Sequence, residues 1–173
     1  MQSPYTDLEP HRFWRTGVAS QSKYDISHIY HPKFTSLNEY RIATAGSCFA
    51  QHVARALRRA GCKVLDEEPA PNALPTDDAS TYQYGVYSAR YGNIYVVRQF
   101  YQLLLEAFGQ WSPANAVWMK DGRYYDALRP SIEPNGFESE DELYAHRVEH
   151  LAAVRRLVAS AANRYNRGEQ FDV

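Results

Sequence analysis

Residues 40–65 have the sequence YRIATAGSCFAQHVARALRRAGCKVL, and this stretch decides the fold. The apolar run Ile42–Ala45 has no helical period, which predicts a buried strand. Gly46 then allows a sharp turn. After the turn the apolar positions follow a helical period, and they are Val53, Leu57 and Ala60. Gly61 is typical of the residue that follows a helix, so the stretch predicts a strand, a helix and the start of a second strand.

Two nucleophilic side chains, Ser47 and Cys48, lie where the predicted strand leads into the helix. The unpaired backbone N–H groups and the dipole at a helix N-terminus favour a thiolate or an oxyanion. Acyl-transfer enzymes keep their nucleophile at a strand-to-helix turn of this kind. Two structural alternatives stay open, since serine is a common helix N-cap and cysteine is often a buried, inert residue.

A set of short motifs resembles one known family. The letters GSCFA at Gly46–Ala50 spell the motif that names the GSCFA family. Other motifs that carry the resemblance are Tyr30–Phe34, Tyr87–Tyr95, Arg98-Gln99, Gly122-Arg123, Leu128–Pro130, His146-Arg147 and His150-Leu151. Together they extend the resemblance over about residues 28–158.

The GSCFA family in turn resembles the SGNH (GDSL-like) hydrolases, and this resemblance implies a fold and an activity. The implied fold is α/β, here an incomplete flavodoxin-like parallel sheet with flanking helices and a small β-hairpin. The implied activity is that of esterases and acetyl-transferring enzymes, with no cofactor. In this comparison the nucleophile position falls on Cys48, and Ser47 stands where the relatives carry Asp. Either side chain is therefore a candidate nucleophile.

The segment Tyr87–Tyr95 is the second candidate part of the site. SGNH relatives use a Gly and an Asn to hold an oxyanion, and the turn at Gly92 and Asn93 is the candidate counterpart. The full candidate set for substrate and oxyanion binding is Gly46, Ser88, Arg90, Gly92 and Asn93. A helix N-cap at Gly92 and Asn93 is the structural alternative.

Turn signals divide the rest of the chain. Residues 1–38 have no clear period and predict an irregular N-terminal arm with one short helix, whereas residues 39–173 are expected to form the GSCFA domain. Asp66–Thr81 contains three prolines and predicts a loop. This loop follows the second strand, on the side where open α/β sheets bind ligands.

Two further helices and a hairpin are predicted. The first helix follows Gly92, ends before Gly109 and has an apolar face made of Val97, Tyr101, Leu104 and Phe108. Asp121-Gly122 joins two β-rich runs and predicts a hairpin. Ser139–Glu142 matches a capping box and opens a long helix. The predicted apolar face of that helix is Tyr144, Val148, Leu151, Val158 and Ala162.

Composition narrows the class of function. With 19 basic and 20 acidic residues, the net charge of −1 argues against a nucleic-acid binder. No apolar stretch approaches the length of a membrane span and the N-terminus lacks signal-peptide features, so a cytoplasmic protein with no membrane partner is expected. Cys48 and Cys62 are expected at opposite ends of one helix, too far apart for a disulfide.

Two histidine patterns have competing interpretations. His146, Glu149 and His150 match the His-x-x-Glu-His zinc motif. A third ligand is hard to find and the family resemblance accounts for both histidines, so no metal is expected. His52 lies one helical turn after Cys48 and could pair with the thiol, with a packing or solvated role as the alternative.

The predicted site lacks a general base. SGNH enzymes take theirs from an Asp-x-x-His block near the chain end, and no such block follows Val158. The chain is therefore expected to be the N-terminal portion of a family member. That expectation includes uncovered apolar helix faces and an exposed sheet edge through which copies of the chain could associate.

These observations give two hypotheses. The first is an acyl-ester hydrolase or acyltransferase whose substrate is a small-molecule or carbohydrate ester, inactive in this truncated form. The second is a non-catalytic ligand-binding module or remnant that uses the tyrosine- and arginine-rich segment to hold a ligand.

Overall fold

A computed structural model describes residues 3–24 and 40–165 of the chain. The chain divides into two compact units, residues 1–37 and residues 38–173. The motif Tyr30–Phe34, which contributes to the family resemblance, lies outside the described residues. Within the described ranges, no helix has the length and the apolar composition that a membrane crossing requires.

The described part of the first unit has two short helical turns where the sequence predicts an arm with one short helix. A 3-10 turn at Pro10–Arg12 is followed by a π-helical turn at Arg15–Ala19. The N–H of Gly17 donates to the carbonyl oxygen of Phe13 at 2.7 Å. Gly17 packs so closely that a Cβ would lie 2.5 Å from the His11 carbonyl oxygen. Local backbone hydrogen bonds therefore shape this unit.

The second unit begins with the predicted strand–helix–strand arrangement. Strand β1 is Arg41–Ile42, helix α1 is Cys48–Arg59 and strand β2 is Lys63–Val64. The two strands pair in parallel, as strands joined by a helical crossover do. Gly61 follows the helix with a φ of +79°, a conformation that suits glycine. The predicted order of strand, helix and strand is thus confirmed, but the first strand is Arg41–Ile42 instead of Ile42–Ala45, and it is not buried.

A buried extended segment, residues 87–94, lies beside β1 and its continuation. The N–H of Ser88 donates to the Thr44 carbonyl oxygen at 3.1 Å, and the N–H of Ile94 donates to the Gly46 carbonyl oxygen at 2.8 Å. The Ser88 carbonyl oxygen accepts from the N–H of Glu67 at 2.9 Å. This segment therefore bridges the chain after β1 and the chain after β2.

Three more helices follow in the second unit: α2 at Thr76–Ala79, α3 at Val97–Ala107 and α4 at Glu140–Tyr165. The predicted loop after β2 therefore contains one helical turn, α2. Segment 87–94, α3 and α4 share the main core, whose buried members are Tyr87, Ala89, Tyr91, Ile94, Ala107, Ala153, Val154 and Leu157. A second core cluster joins the hairpin region to the start of α4 through Ile132, Phe137 and Leu143.

The predicted apolar face of α3 is wrong. Val97, Tyr101 and Phe108 are exposed, and Val97 keeps 85% of its accessible surface. The side chains that pack against the core are instead Phe100, Leu103, Leu104 and Ala107. Apolar residues cover a wide arc of this helix, so a helical period alone does not decide which part of the arc faces inward.

The predicted faces of α1 and α4 are wrong in part for a related reason, although Leu151 of α4 does pack against the core. In α1 the fully buried residue is Ala54, while Val53 is exposed. In α4 the core-facing stripe is Leu143, Arg147, His150, Val154 and Leu157. Arg147 and His150 in that stripe are polar. A search for apolar positions therefore selects the neighbouring stripe, which contains Tyr144 and Val148, and both of these side chains are exposed. Exposed apolar side chains thus lie on α1, α3 and α4.

A β-hairpin precedes α4, as the sequence predicts. Strands β3 at Val117–Lys120 and β4 at Arg123–Asp126 pair in antiparallel register. Asp121 and Gly122 both have positive φ, which is the conformation of a type I′ turn. The fold of the second unit is therefore mixed α/β, with a small parallel sheet, a two-stranded antiparallel sheet and helices.

The start of α4 has the predicted serine cap. The Ser139 hydroxyl accepts from the N–H of Glu142 at 3.1 Å. The Glu142 carboxylate accepts from the N–H of Glu138 at 2.8 Å, one residue before the position that a standard capping box would use. The first bond satisfies a backbone donor that the first turn of a helix leaves unpaired, and the second satisfies the N–H of the residue before the cap.

A buried ionic network, made of Glu106, Asp126, Arg129 and Arg147, joins α3, β4 and α4. Arg147 donates to both oxygens of Glu106 at 2.6 Å and to both oxygens of Asp126 at 2.7 and 2.8 Å. The Nε of Arg129 donates to Asp126 at 2.9 Å. Burial raises the pKa of Asp126, but the two guanidinium groups outweigh burial and hold that pKa below its ordinary value. Asp126 is therefore a carboxylate shared by two arginines.

We expect Asp126→Asn to lower the free energy of unfolding by about 3–5 kcal/mol, because two buried guanidinium groups lose their shared counter-ion. Urea denaturation monitored by circular dichroism measures this change. Asp121→Asn is the matched control, because Asp121 is exposed and asparagine tolerates its positive φ. A loss in Asp126→Asn no larger than in the control would contradict the central role of the network.

Candidate functional site

The turn before α1 brings the candidate nucleophiles to a helix N-terminus. Gly46 has a φ of +150°, and a Cβ on it would lie 2.7 Å from the Cβ of Ala50. Ser47 is the N-cap residue and Cys48 is the first helical residue. Cys48 is exposed. Its side chain is therefore accessible beside backbone N–H groups that have no partner within the helix.

Tyr87 and Asn93 complete this end of α1. The Tyr87 hydroxyl donates to the Ser47 carbonyl oxygen at 2.6 Å and lies 3.1 Å from Oδ1 of Asn93. Nε2 of Gln51 donates to the same Asn93 oxygen at 3.3 Å. Burial raises the pKa of Tyr87, and Cys48 and Tyr95 raise it further. Tyr87 is therefore a neutral hydroxyl that ties Asn93 to the residue before Cys48.

Two of the predicted oxyanion residues have other surroundings. Ser88 is fully buried, and its hydroxyl accepts from the N–H of Thr44 at 2.8 Å. Gly92 has a φ of +67°, and a Cβ on it would lie 3.4 Å from the Ser131 hydroxyl. Ser88 thus supports the chain after β1, and Gly92 allows close approach to the turn after the hairpin.

The Arg90 side chain forms its hydrogen bonds with other residues of the second unit. It donates to the carbonyl oxygens of Tyr82 and Ile132 and to the Glu133 carboxylate, each at 2.8–2.9 Å. The guanidinium group also stacks on the ring of Tyr84, 3.9 Å from its centre. Of the candidate set, the structure brings together Gly46, Ser47, Cys48 and Asn93, whereas Ser88, Arg90 and Gly92 contact other parts of the unit.

His52 does not form the pair with Cys48 that its spacing allows. Its exposed ring lies 6.4 Å from the ring of Phe49, between centres. Among the described residues, no side chain forms a hydrogen bond with the Cys48 thiol. Cys48 and Cys62 are both thiols.

Glu68 and His150 form a buried histidine–carboxylate pair that the sequence does not predict. Nδ1 of His150 lies 2.7 Å from Oε2 of Glu68, and the same oxygen accepts from the N–H of Arg90 at 2.8 Å. Tyr91 packs edge-on against the His150 ring at 5.8 Å. The sequence places Glu68 in the loop on the expected ligand side and places His150 in a zinc-like motif, but no local signal pairs them.

His150 is neutral at physiological pH. Burial and the Arg129 charge lower its pKa to about 4, although Glu68 acts in the opposite direction. With Glu68 as a carboxylate, the Nδ1 of His150 carries the proton and donates it. Nε2 therefore carries a lone pair and acts as an acceptor.

The His-x-x-Glu-His motif does not gather metal ligands. The ring of His146 packs against Phe137 at 5.1 Å between centres, while His150 faces Glu68. Across residues 3–24 and 40–165, no group of three or more His, Cys, Asp or Glu side chains is arranged to hold a metal ion.

The close packing at Gly46 gives a prediction about the turn. We expect Gly46→Ala to lower the free energy of unfolding by about 1–3 kcal/mol, because the φ is unfavourable and the new methyl group would meet Ala50. Gly109→Ala is the matched control, since Gly109 has a φ of +69° and open space at its Cβ position. Equal losses in urea denaturation would show that the Ala50 contact contributes nothing.

His150 makes the stability of the fold depend on pH. Its pKa is about 4 in the folded chain and about 6.5 in an unfolded chain, so the unfolded chain binds more protons between these values. We expect the free energy of unfolding to fall by about 3 kcal/mol as the pH is lowered from 7 to 4. Urea denaturation across this range measures the slope. His150→Gln should flatten the slope and the exposed-site control His52→Gln should keep it; an unchanged slope in His150→Gln contradicts the assignment.

Comparison with known proteins identifies a family. The model of the GSCFA family matches residues 41–163, which include the strand–helix–strand unit, segment 87–94 and the hairpin. No curated protein and no solved structure matches the chain. The chain belongs to the GSCFA family.

Proposed function

We propose that this chain is an SGNH-like acyl-transfer module, an ester hydrolase or acyltransferase with Cys48 as its nucleophile. The substrate would be a small-molecule or carbohydrate ester. The observation that carries the proposal is the exposed Cys48 at the start of α1, next to the Tyr87 hydroxyl and the Asn93 carboxamide. β1, α1 and β2 would be the first elements of a flavodoxin-like sheet.

The proposed chemistry begins with attack of the Cys48 sulfur on the ester carbonyl carbon. The Cys48 thiol loses its proton to water, a C–S bond forms as the ester C–O bond breaks, and the leaving alkoxide takes up a proton from water. Water or a second alcohol then attacks the thioester and releases the acyl group. Ser47 is the less favoured nucleophile, because a serine hydroxyl needs a base to activate it whereas a thiolate attacks directly.

Oxyanion stabilisation would come from two kinds of donor. The N–H groups of Cys48 and Phe49, the first two residues of α1, have no helical partners and lie at the positive end of the helix dipole. The oxygen of the Asn93 carboxamide accepts from Nε2 of Gln51 at 3.3 Å, which leaves its Nδ2 group to donate. Fixed donors of this kind stabilise developing negative charge without reorganisation.

The absence of a hydrogen-bonded base at Cys48 among the described residues has a kinetic consequence. Attack by a thiolate needs no base, but activation of water in the second step does. We therefore expect acylation of Cys48 to be faster than release of the acyl group. The reaction should show a stoichiometric burst followed by slow turnover.

Acylation by p-nitrophenyl acetate tests the proposal. We expect one acetyl group on Cys48, located by peptide mass spectrometry, with a faster rate in the folded chain than in urea, and Cys62 as internal reference. Cys48→Ala should abolish the nitrophenolate burst. Asn93→Ala should slow the burst by about 100-fold or more, as loss of an oxyanion donor does, while Asn115→Ala, an exposed-site control, should not.

Two outcomes would overturn the acyl-transfer proposal. One is acetylation of Cys48 at the same rate in the folded and the unfolded chain, which would show that the fold does not activate the thiol. The other is an Asn93→Ala burst equal to that of Asn115→Ala. Either result favours the second candidate function, a non-catalytic ligand-binding module, for which the pocket beside His150 is the supporting observation.

A further inference from the structure

A partly open pocket lies between segment 87–94, α3 and α4, and it contains His150. It encloses about 430 Å³, a volume that includes solvent at its open mouth. Much of its wall is apolar and consists of Ile94, Leu103, Trp111 and Leu128. Cys48 is not among its lining residues, so the pocket is separate from the proposed acyl-transfer site.

Two buried polar atoms of the pocket residues have no partner among the described residues. They are Nη2 of Arg129 and Nε2 of His150. Both side chains are almost completely buried, with 4% and 1% of their surface exposed. Folded proteins rarely leave such an atom unpaired without a reason. The pair therefore indicates a group that the pocket is built to receive.

The hydrogen-bonding characters of the two atoms are opposite. Nη2 of Arg129 can only donate, because a guanidinium group has no acceptor. Nε2 of His150 accepts, because Nδ1 donates to Glu68 at 2.7 Å. A hydroxyl group is a small neutral group that accepts from one atom and donates to the other. A carboxylate could satisfy Arg129 but has no proton to donate to His150.

The charges around the pocket also disfavour an anion. The guanidinium groups of Arg129 and Arg147 are already paired with Asp126, and Arg147 is further paired with Glu106. Glu68 adds a further negative charge behind His150. The carboxylates thus outnumber the guanidinium groups, so a bound anion would face net repulsion.

We propose that this pocket binds a neutral alcohol whose hydroxyl bridges Arg129 and His150 and whose apolar body packs against Leu103, Trp111 and Leu128. An aliphatic or sugar-like ring with a free hydroxyl has this chemistry. Binding at this site does not depend on the reactivity of Cys48, so its test is independent of the test of the acyl-transfer proposal.

Three probes of similar shape distinguish the possible head groups: cyclohexanol, cyclohexanecarboxylate and methylcyclohexane. Each is titrated into the full chain labelled with ¹⁵N-histidine at neutral pH, and the Nε2 resonance of His150 is identified by its loss in His150→Gln. We expect a saturable shift of this resonance with cyclohexanol and little change with the other two probes. A new hydrogen bond at Nε2 changes its ¹⁵N shift directly.

A substitution that fills part of the pocket tests where the alcohol binds. Leu128→Trp adds a large side chain to the pocket wall without touching Arg129 or His150, and we expect it to weaken cyclohexanol binding by at least about tenfold. Met119→Trp makes a comparable change at an exposed position of β3 and should bind as the wild type does. Cys48→Ala should also bind normally.

Each other outcome overturns the proposal. A larger shift with cyclohexanecarboxylate would make the pocket an anion site. No shift with any probe would mean that water alone satisfies the two atoms. Unchanged cyclohexanol binding in Leu128→Trp would place the alcohol elsewhere on the chain.

Discussion

The rest of the second unit depends on one buried carboxylate, that of Asp126, which two arginines share. Asp126 ends β4, Arg129 follows in the next turn and Arg147 comes from the middle of α4. Buried ion pairs are a weak source of net stability, because desolvation offsets much of the attraction. Once buried, however, each charge needs its partner at a fixed distance. The network therefore fixes the position of α4 against the hairpin and, through Glu106, against α3.

Fixing α4 also places the residues of both candidate sites. One turn after Arg147, His150 meets Glu68 from the loop after β2 and the ring of Tyr91 from segment 87–94. The same segment carries Tyr87, whose hydroxyl reaches the residue before Cys48. The rings of Tyr87 and Tyr91 lie 6.4 Å apart. Segment 87–94 thus connects the start of α1 to the buried histidine, and most of its residues are buried.

The features that the sequence predicts correctly are those set by neighbouring residues. Asp121 and Gly122 adopt positive φ in a two-residue turn, and Ser139 caps α4, because backbone preference and side-chain reach are local. The pair of Glu68 and His150 is separated by 82 positions and has no local signature. Helical periodicity failed in α4 for the same reason, since it treats buried Arg147 and His150 as surface residues. At the candidate site, the GSC turn was predictable and the contribution of Tyr87 was not.

The protonation state of His150 is set more by burial than by the neighbouring charges. Glu68 and Asp126 favour the charged form of its imidazole, and Arg129 opposes it. Charge balance alone would favour a protonated imidazole, yet its pKa is lowered to about 4. Desolvation is the larger effect, because the ring has almost no contact with water. The packing that buries α4 therefore also keeps Nε2 of His150 an acceptor, whereas Nη2 of Arg129 is a donor, and both residues line the same pocket.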